Sequence, residues 1–205
     1  MHLLYMISIA LANNIDNISV RIVYSIRNIK ISLAKNLWIS IITFFISSAS
    51  AFSGSILPKY LNKQISSILS LLLLVGMGLW IILEPYIKKA YNKKVIFNKM
   101  QHTNFVNILN EPEKADANNS KDIDFKEATI LGVALSLNNI GGSLSIGIMG
   151  LNPVFIGLFS SLISFLVLLL GNYAAEFFNR WNFQDKANII AGIILILIGI
   201  KQVIH

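Results

Sequence analysis

Six apolar segments, each about 20 residues long and so able to cross a bilayer, dominate this chain of 205 residues. They run over residues 3–24, 36–57, 65–84, 128–149, 153–175 and 187–204. The composition agrees, because 55% of the residues are hydrophobic, only 13% are charged and the mean hydropathy is +0.65. The sequence therefore predicts an all-α membrane protein with six transmembrane helices and the lipid bilayer as its surroundings.

Polar side chains interrupt the first segment near its middle, in the run Leu11-Ala-Asn-Asn-Ile-Asp-Asn-Ile18. A weaker copy, Val133-Ala-Leu-Ser-Leu-Asn-Asn-Ile140, lies near the middle of the fourth segment, so that Asp16 matches Asn138. Polar groups are costly at membrane depth and mark candidate functional sites. Two such motifs in corresponding helices of two halves are typical of the substrate site of a secondary transporter.

The central polar loop separates three apolar segments from three others. The two halves therefore enter the membrane from opposite sides, which predicts an inverted-topology repeat. A second match, between Leu74-Val-Gly-Met-Gly-Leu79 and Leu197-Ile-Gly-Ile-Lys-Gln202, supports a duplication. We divide the chain into a first three-helix repeat (1–87), a cytoplasmic loop (88–126) and a second three-helix repeat (127–205).

Basic residues are distributed unevenly between the two sides of the predicted spans. Thirteen of the 17 lie in loops one, three and five, whereas loops two and four hold only Lys59 and Lys63. Positively charged loops stay in the cytoplasm, so we expect a cell-membrane protein with both termini outside and the central loop inside. This asymmetry explains the net charge of +7, and no nucleic-acid partner is expected.

Asp16 is the strongest candidate for a functional residue inside the membrane. Helical periodicity along a continuous span places it on one face with Asn13 and Asn17. Amides can serve only to join neighbouring helices, and for Asn14 and Asn139 we prefer that interpretation. Packing does not require a carboxylate, and an unpaired one would be neutralised or expelled. The predicted cation pathway comprises Asp16, Asn17, Asn13, Asn138 and Asn139.

Arg21 is the nearest cation to Asp16 in the same helix. It lies close enough to the cytoplasmic end of the span for its long side chain to reach water.

The side chains available inside the bundle limit its metal chemistry. The chain has no cysteine, and its three histidines lie at the termini or in the central loop. A metal inside the bundle must use oxygen ligands, or a thioether at most, which favours hard ions such as Mg²⁺, Ca²⁺ or Mn²⁺. Met77 and Met149 are interpreted as apolar packing residues. No serine–histidine pair, paired carboxylates or phosphate-binding loop lies at membrane depth, so an enzyme is not expected.

The central loop contains a twelve-residue pattern similar to the calcium-binding loop of an EF-hand. Position 6 of that loop is normally glycine, because the turn there needs a positive φ, but here it is Lys121. A lysine in that conformation costs about 1 kcal/mol and places a positive charge near the ion. The pattern predicts either a Ca²⁺ or Mn²⁺ site or a loop that keeps the shape and binds weakly or not at all. Its predicted ligands are Asp116, Asn118, Ser120, Asp122, Asp124 and Glu127.

Several motifs together resemble one membrane-protein family. They are Ala12-Asn-Asn-Ile-Asp-Asn17 with Tyr24-Ser-Ile-Arg27, Ala134-Leu-Ser-Leu-Asn-Asn139, and Pro112-Glu-Lys-Ala-Asp116 leading to Glu127. They resemble the YtaF group of sporulation membrane proteins, which looks like a branch of the MntP-type manganese efflux pumps within the lysine-exporter-like superfamily. The resemblance covers nearly the whole chain and is most specific in the central loop.

The resemblance implies six helices in two inverted halves, with an aspartate in the first helix of each half serving the cation. Asp16 carries over the first aspartate, whereas Asn138 stands at the second position and Arg21 stands where glycine is expected. The implied function is efflux of a divalent cation, with Mn²⁺ as the substrate. The alternative is a non-transporting sporulation membrane protein that acts by protein interaction on a pump-derived fold. The oligomeric state is left open.

Overall fold

The regular secondary structure of the described residues is helical. The structure, a computed structural model, describes residues 2–26, 29–92, 115–116, 120–180 and 183–204. Most of the predicted cytoplasmic loop, including the predicted ligand Asn118, lies outside them. The helices are α1 (His2–Asn13), α2 (Ile15–Ile26), α3 (Leu33–Tyr60), α4 (Lys63–Asn92), α5 (Phe125–Leu137), α6 (Asn139–Ile148), α7 (Pro153–Arg180) and α8 (Phe183–Ile204).

Three helices contain stretches long and apolar enough to cross a membrane: Leu33–Tyr60 in α3, Gln64–Leu83 in α4 and Pro153–Leu170 in α7. Helices α5 and α6 make a fourth when they are taken as one span with a 49° bend. The apolar helix stretches Leu4–Asn13 and Gly192–Lys201 are shorter than a span. The expected all-helical membrane fold is therefore confirmed with three to four spans, and the count of six stays a prediction.

Polar and apolar side chains are distributed in the reverse of a soluble protein. Large apolar side chains such as Phe45, Leu72 and Leu162 are more than half exposed, whereas Ser47 and Ser143 are fully buried. Lipid tails are as apolar as leucine, so helices in a membrane associate through close contact of small residues and hydrogen bonds. The outer surface of the bundle is thus suited to lipid.

Each helix that carries a polar motif is broken, at Asn14 and at Asn138. The prediction of a continuous helix through each motif is therefore wrong, although the two helices on either side of Asn138 can form one span with a 49° bend. The Asn14 side chain donates Nδ2 to the carbonyl oxygen of Ala10 at 2.8 Å, and the N–H of Asn17 bonds to the carbonyl oxygen of Asn14 at 3.2 Å. Asparagine side chains compete with the backbone for hydrogen bonds in this way.

The main helix contacts join the two halves of the chain. Helix α3 packs along α7 and against α5 and α6, α4 packs along α8, and α1 and α2 pack against α7 and α8, whereas α3 and α4 hardly touch. Helix positions also repeat, because α3 and α7 start 120 residues apart, at Leu33 and Pro153, as do α4 and α8, at Lys63 and Phe183. The helices of the two halves therefore interlock rather than form two separate bundles.

The crossing of α4 and α8 brings two backbones together at Gly78 and Gly192. A Cβ added at Gly78 would lie 2.6 Å from the carbonyl oxygen of Gly192, and one added at Gly192 would lie 2.5 Å from that of Gly78. Leu74 and Leu195 are fully buried about one turn away. Only glycine allows this approach, since any other residue carries the Cβ.

Candidate cation site between the broken helices

A cavity of about 390 Å³ lies where α1 and the break between α5 and α6 face α4. The predicted residues Asn13 and Asn138 both line it, so the structure brings together one polar side chain from each motif. The remaining wall is mostly apolar and is formed by Ala12, Leu72, Leu73, Gly76, Met77, Trp80, Ile81, Leu137 and Gly141.

Asn13 presents an acceptor with no hydrogen bond to any described residue. Its side chain is only 3% exposed. Its Nδ2 lies 3.5 Å from the carbonyl oxygen of Asn139, whereas Oδ1 has no hydrogen-bond partner among the described residues. The amide lies against Gly142, where an added Cβ would come within 2.5 Å of Oδ1. A buried acceptor usually has a partner, so a cation or a donor would complete this one.

Two other predicted residues are buried and do not line the cavity. Asn17 joins α2 to α7, because its Nδ2 donates to Asn14 Oδ1 at 3.0 Å and to Ser164 Oγ at 3.1 Å. Asn139 is 1% exposed, and neither its Oδ1 nor its Nδ2 has a hydrogen-bond partner in the described part of the chain. Amide groups therefore supply both helix contacts and unused acceptors around the two breaks.

Asp16 belongs to the first turn of α2, two residues after the break at Asn14. Its side chain lies outside what the structure describes, so its assignment to the pathway stays a prediction.

Arg21 is buried, not directed to water. The expectation that its side chain reaches the cytoplasmic surface is wrong, since the residue is 2% exposed. Its Nε and Nη1 have no hydrogen-bond partner among the residues described. Burying a charge costs free energy unless the charge is paired and hydrogen-bonded. The burial of the Arg21 guanidinium therefore carries an electrostatic cost.

Sequence reasoning missed Met77 and Trp80 as wall residues of the cavity. Met77 and Trp80 lie in an apolar helix with no polar motif, and only their three-residue spacing indicated a shared face. Gly141 follows the second motif, and a Cβ there would lie 2.5 Å from Met77 Sδ.

The loop similar to an EF-hand has the expected turn but uses its carboxylates for protein contacts. Lys121 has a φ of 62°, which confirms the left-handed turn at position 6. The Asp116 carboxylate accepts the N–H groups of Ser120 and Lys121 at 3.0 and 3.1 Å. Asp122 pairs with Lys35 at 2.7 Å.

The end of this loop starts α5. Asp124 is the N-cap, and it and Glu127 accept each other's backbone N–H in a capping box, at 2.8 and 3.0 Å. Ile123 is fully buried, and its N–H bonds to the carbonyl oxygen of Lys30 at 3.0 Å, which ties the loop to the segment before α3. Within the described ranges, no three acidic or histidine side chains are grouped to hold a metal.

The fold and the cavity together define a class: a multi-pass helical membrane protein in which two broken helices contribute polar groups to the wall of one cavity. Sequence comparison identifies the particular family. Residues 96–203, just over half of the chain, match the family model Mntp, described as "Putative manganese efflux pump". The chain belongs to this family, which confirms the resemblance of its motifs.

The individual relatives are named either for sporulation or for manganese efflux. The chain is 29% identical to the "Probable sporulation protein YtaF" of Bacillus subtilis (strain 168), across 98% of this chain and 99% of that protein. It is 33% identical to the "Putative manganese efflux pump MntP" of Bifidobacterium adolescentis over 102 residues, which cover 48% of this chain and 52% of that protein. The corresponding pump of Clostridium perfringens (strain SM101 / Type A) is 29% identical over 100 residues, 45% of its length. No solved structure matches.

Proposed function

We propose that this protein exports a divalent cation, with Mn²⁺ as the substrate, across the cell membrane. The observation that carries the proposal is that Asn13 and Asn138, one from each broken helix, line the same cavity. In secondary transporters, broken helices at a repeat interface form the substrate site. Membership of the manganese efflux family supports the same substrate, and membership of a transporter family argues against an enzyme.

The proposed architecture has six spans in two inverted repeats, over 1–87 and 127–205, joined by a cytoplasmic loop. The interlocked helices and the 120-residue spacing of helix starts support a duplication. The basic residues favour both termini outside. Alternating access would then move one set of helices against the other around the cavity.

Asp16 is the proposed main ligand, since an isolated carboxylate at membrane depth has few other uses. Asn13 and Asn138 line the cavity and would supply amide oxygens. Asn17 links α2 to α7 through Ser164, and the buried amide of Asn139 would supply a further oxygen. This set contains fewer negative charges than a pair of aspartates would, so the transported ion keeps more of its charge uncompensated.

Transport into inside-out vesicles tests the proposal. Vesicles containing the full chain should accumulate Mn²⁺, and the Asp16→Asn variant should not, while a matched variant of a loop carboxylate, Asp122→Asn, retains flux. Equal protein in the membrane is checked in each case. Absence of Mn²⁺ flux in the native chain, with a related pump active in the same vesicles, would refute transport.

A specific observation favours a second function, that of a non-transporting sporulation membrane protein acting by protein interaction. Arg21 is buried in the same helix as Asp16, and Asn138 stands in place of a second carboxylate, so both differences disfavour a divalent cation. Deletion of the gene distinguishes the two functions. Altered cell manganese supports transport, whereas a sporulation defect at unchanged manganese supports interaction.

A further inference from the structure

We propose that the thioether of Met77 contacts the metal ion in the cavity, so that the site selects transition-metal and softer divalent cations over Mg²⁺ and Ca²⁺. The proposal rests on the proposed cation site and adds its selectivity. It assigns a chemical role to a residue of the apolar helix α4.

Met77 lies in the wall of the proposed cation site. It lines the same cavity as Asn13 and Asn138, on the wall formed by α4. Its Sδ lies over Gly141, three residues beyond the break at Asn138, where a Cβ would come within 2.5 Å of the sulfur. The absence of a side chain at Gly141 therefore leaves room for the thioether next to the broken helix.

A second observation, independent of Met77, is an unpartnered acceptor on a residue that lines this cavity. Asn13 Oδ1 is buried and without a hydrogen-bond partner among the described residues. A neutral amide oxygen and a neutral thioether on the walls of one small cavity form a mixed donor set for a cation. In the proposed site the negative charge comes from Asp16, so these neutral groups affect the preference among divalent cations rather than the charge of the site.

The donor chemistry determines which ions are favoured. Mg²⁺ is reluctant to lose water, and Ca²⁺ takes six to eight oxygen ligands. Thioether sulfur adds little to either, but it is a ligand for softer metals. Mn²⁺ lies closer to the hard ions than Cd²⁺ does, so Cd²⁺ is the more sensitive probe. The chain has no cysteine, so a thiolate cannot account for cadmium binding.

Competition between Cd²⁺ and Mg²⁺ for the purified full-length protein tests the proposal without requiring transport. Met77→Leu conserves volume and hydrophobicity, a change that membrane and soluble cores tolerate. It should lower the preference for Cd²⁺ over Mg²⁺ by roughly tenfold. This is the lower end of the loss of metal affinity that follows when a group supporting a metal site is removed. Met149→Leu is the matched control, since Met149 does not line the cavity, and it should keep the native preference.

Gly141→Ala gives an orthogonal test, because its Cβ would occupy space now taken by Met77 Sδ and displace the flexible end of that side chain. It should reduce the cadmium preference as Met77→Leu does. The ¹¹³Cd resonance of the bound ion should also move toward values typical of all-oxygen ligands in both variants.

The outcomes separate this proposal from the proposed function. A native protein that binds Cd²⁺ no better than Mg²⁺, or a Met77→Leu variant with unchanged preference, overturns the role of Met77 even when Mn²⁺ flux is present. Cadmium preference that depends on Met77 in a protein without Mn²⁺ flux supports the metal contact and refutes transport.

Discussion

The crossing of α4 and α8 should tolerate no side chain at Gly78, although a neighbouring glycine in the same helix should accept one. A Cβ at Gly78 would lie 2.6 Å from the carbonyl oxygen of Gly192 and 2.8 Å from Cγ1 of Ile196. At Gly76, two residues earlier, a Cβ would have no atom within 4 Å. Gly76→Ala is therefore a matched control for Gly78→Ala.

Two opposing terms determine the size of the effect. Replacing glycine by alanine inside a helix favours the folded state by about 1 kcal/mol at either position. At Gly78 the backbones must separate by nearly 1 Å to restore ordinary contact, and overpacking of this kind costs about 1–3 kcal/mol. The propensity term is common to both variants, so Gly78→Ala should be less stable than Gly76→Ala by roughly 1–3 kcal/mol.

Reversible unfolding in mixed detergent–SDS micelles measures this difference, with helicity followed by circular dichroism. Gly192→Ala should behave as Gly78→Ala does, because its Cβ would lie 2.5 Å from the carbonyl oxygen of Gly78. Equal free energies of unfolding for Gly76→Ala and Gly78→Ala would show that α4 and α8 do not cross closely at these glycines.

The remaining predictions concern the site, the orientation and the loop. Asp16→Asn should abolish cation flux without affecting membrane insertion, because it removes the carboxylate that is predicted to lie at membrane depth. Asn138→Asp should raise the apparent divalent affinity in the same vesicle assay. An unchanged value for either variant would remove that residue from the site. Cysteines introduced near His2 and Asn104 report the orientation of the chain in the membrane. An impermeant reagent added to intact cells should modify only the cysteine near His2. Labelling at position 104 would contradict the predicted orientation. In calorimetry with Ca²⁺ and Mn²⁺, the loop should bind with a dissociation constant no lower than about 10⁻⁴–10⁻³ M. The Lys121→Gly variant should bind more tightly, because glycine adopts a positive φ freely. No heat from either form would make the pattern purely structural.

The loop shows how far a local pattern predicts structure. The spacing from Asp116 to Glu127 indicated a left-handed turn at position 6, and Lys121 adopts it, because a turn depends on neighbouring residues. The pattern could not indicate that Asp122 would pair with Lys35, since 87 residues separate them. Side chains that a sequence pattern marks as ligands can therefore be engaged elsewhere once distant segments pack.

The broken helices illustrate a different limit. Periodicity alone predicted uninterrupted spans through both polar motifs, but the Asn14 amide competes with the backbone and α2 begins anew at Ile15. The position of Arg21 near the predicted cytoplasmic end of its span suggested that its long side chain would reach water. Its burial depends on helices from the other half of the chain, which periodicity does not locate.

The sequence by itself determined the membrane class, the family and the two polar motifs, because lipid permits few ways to satisfy a polar backbone and penalises every polar side chain. Only the tertiary structure decided which of their residues share a cavity. Asn13 in α1, Met77 in α4 and Asn138 at the break between α5 and α6 line one cavity. Helical periodicity assigns a residue to a face of its own helix without identifying the helix opposite. The role proposed for Met77 follows from that packing, since a methionine in an apolar helix is indistinguishable from a packing residue until its neighbours are known.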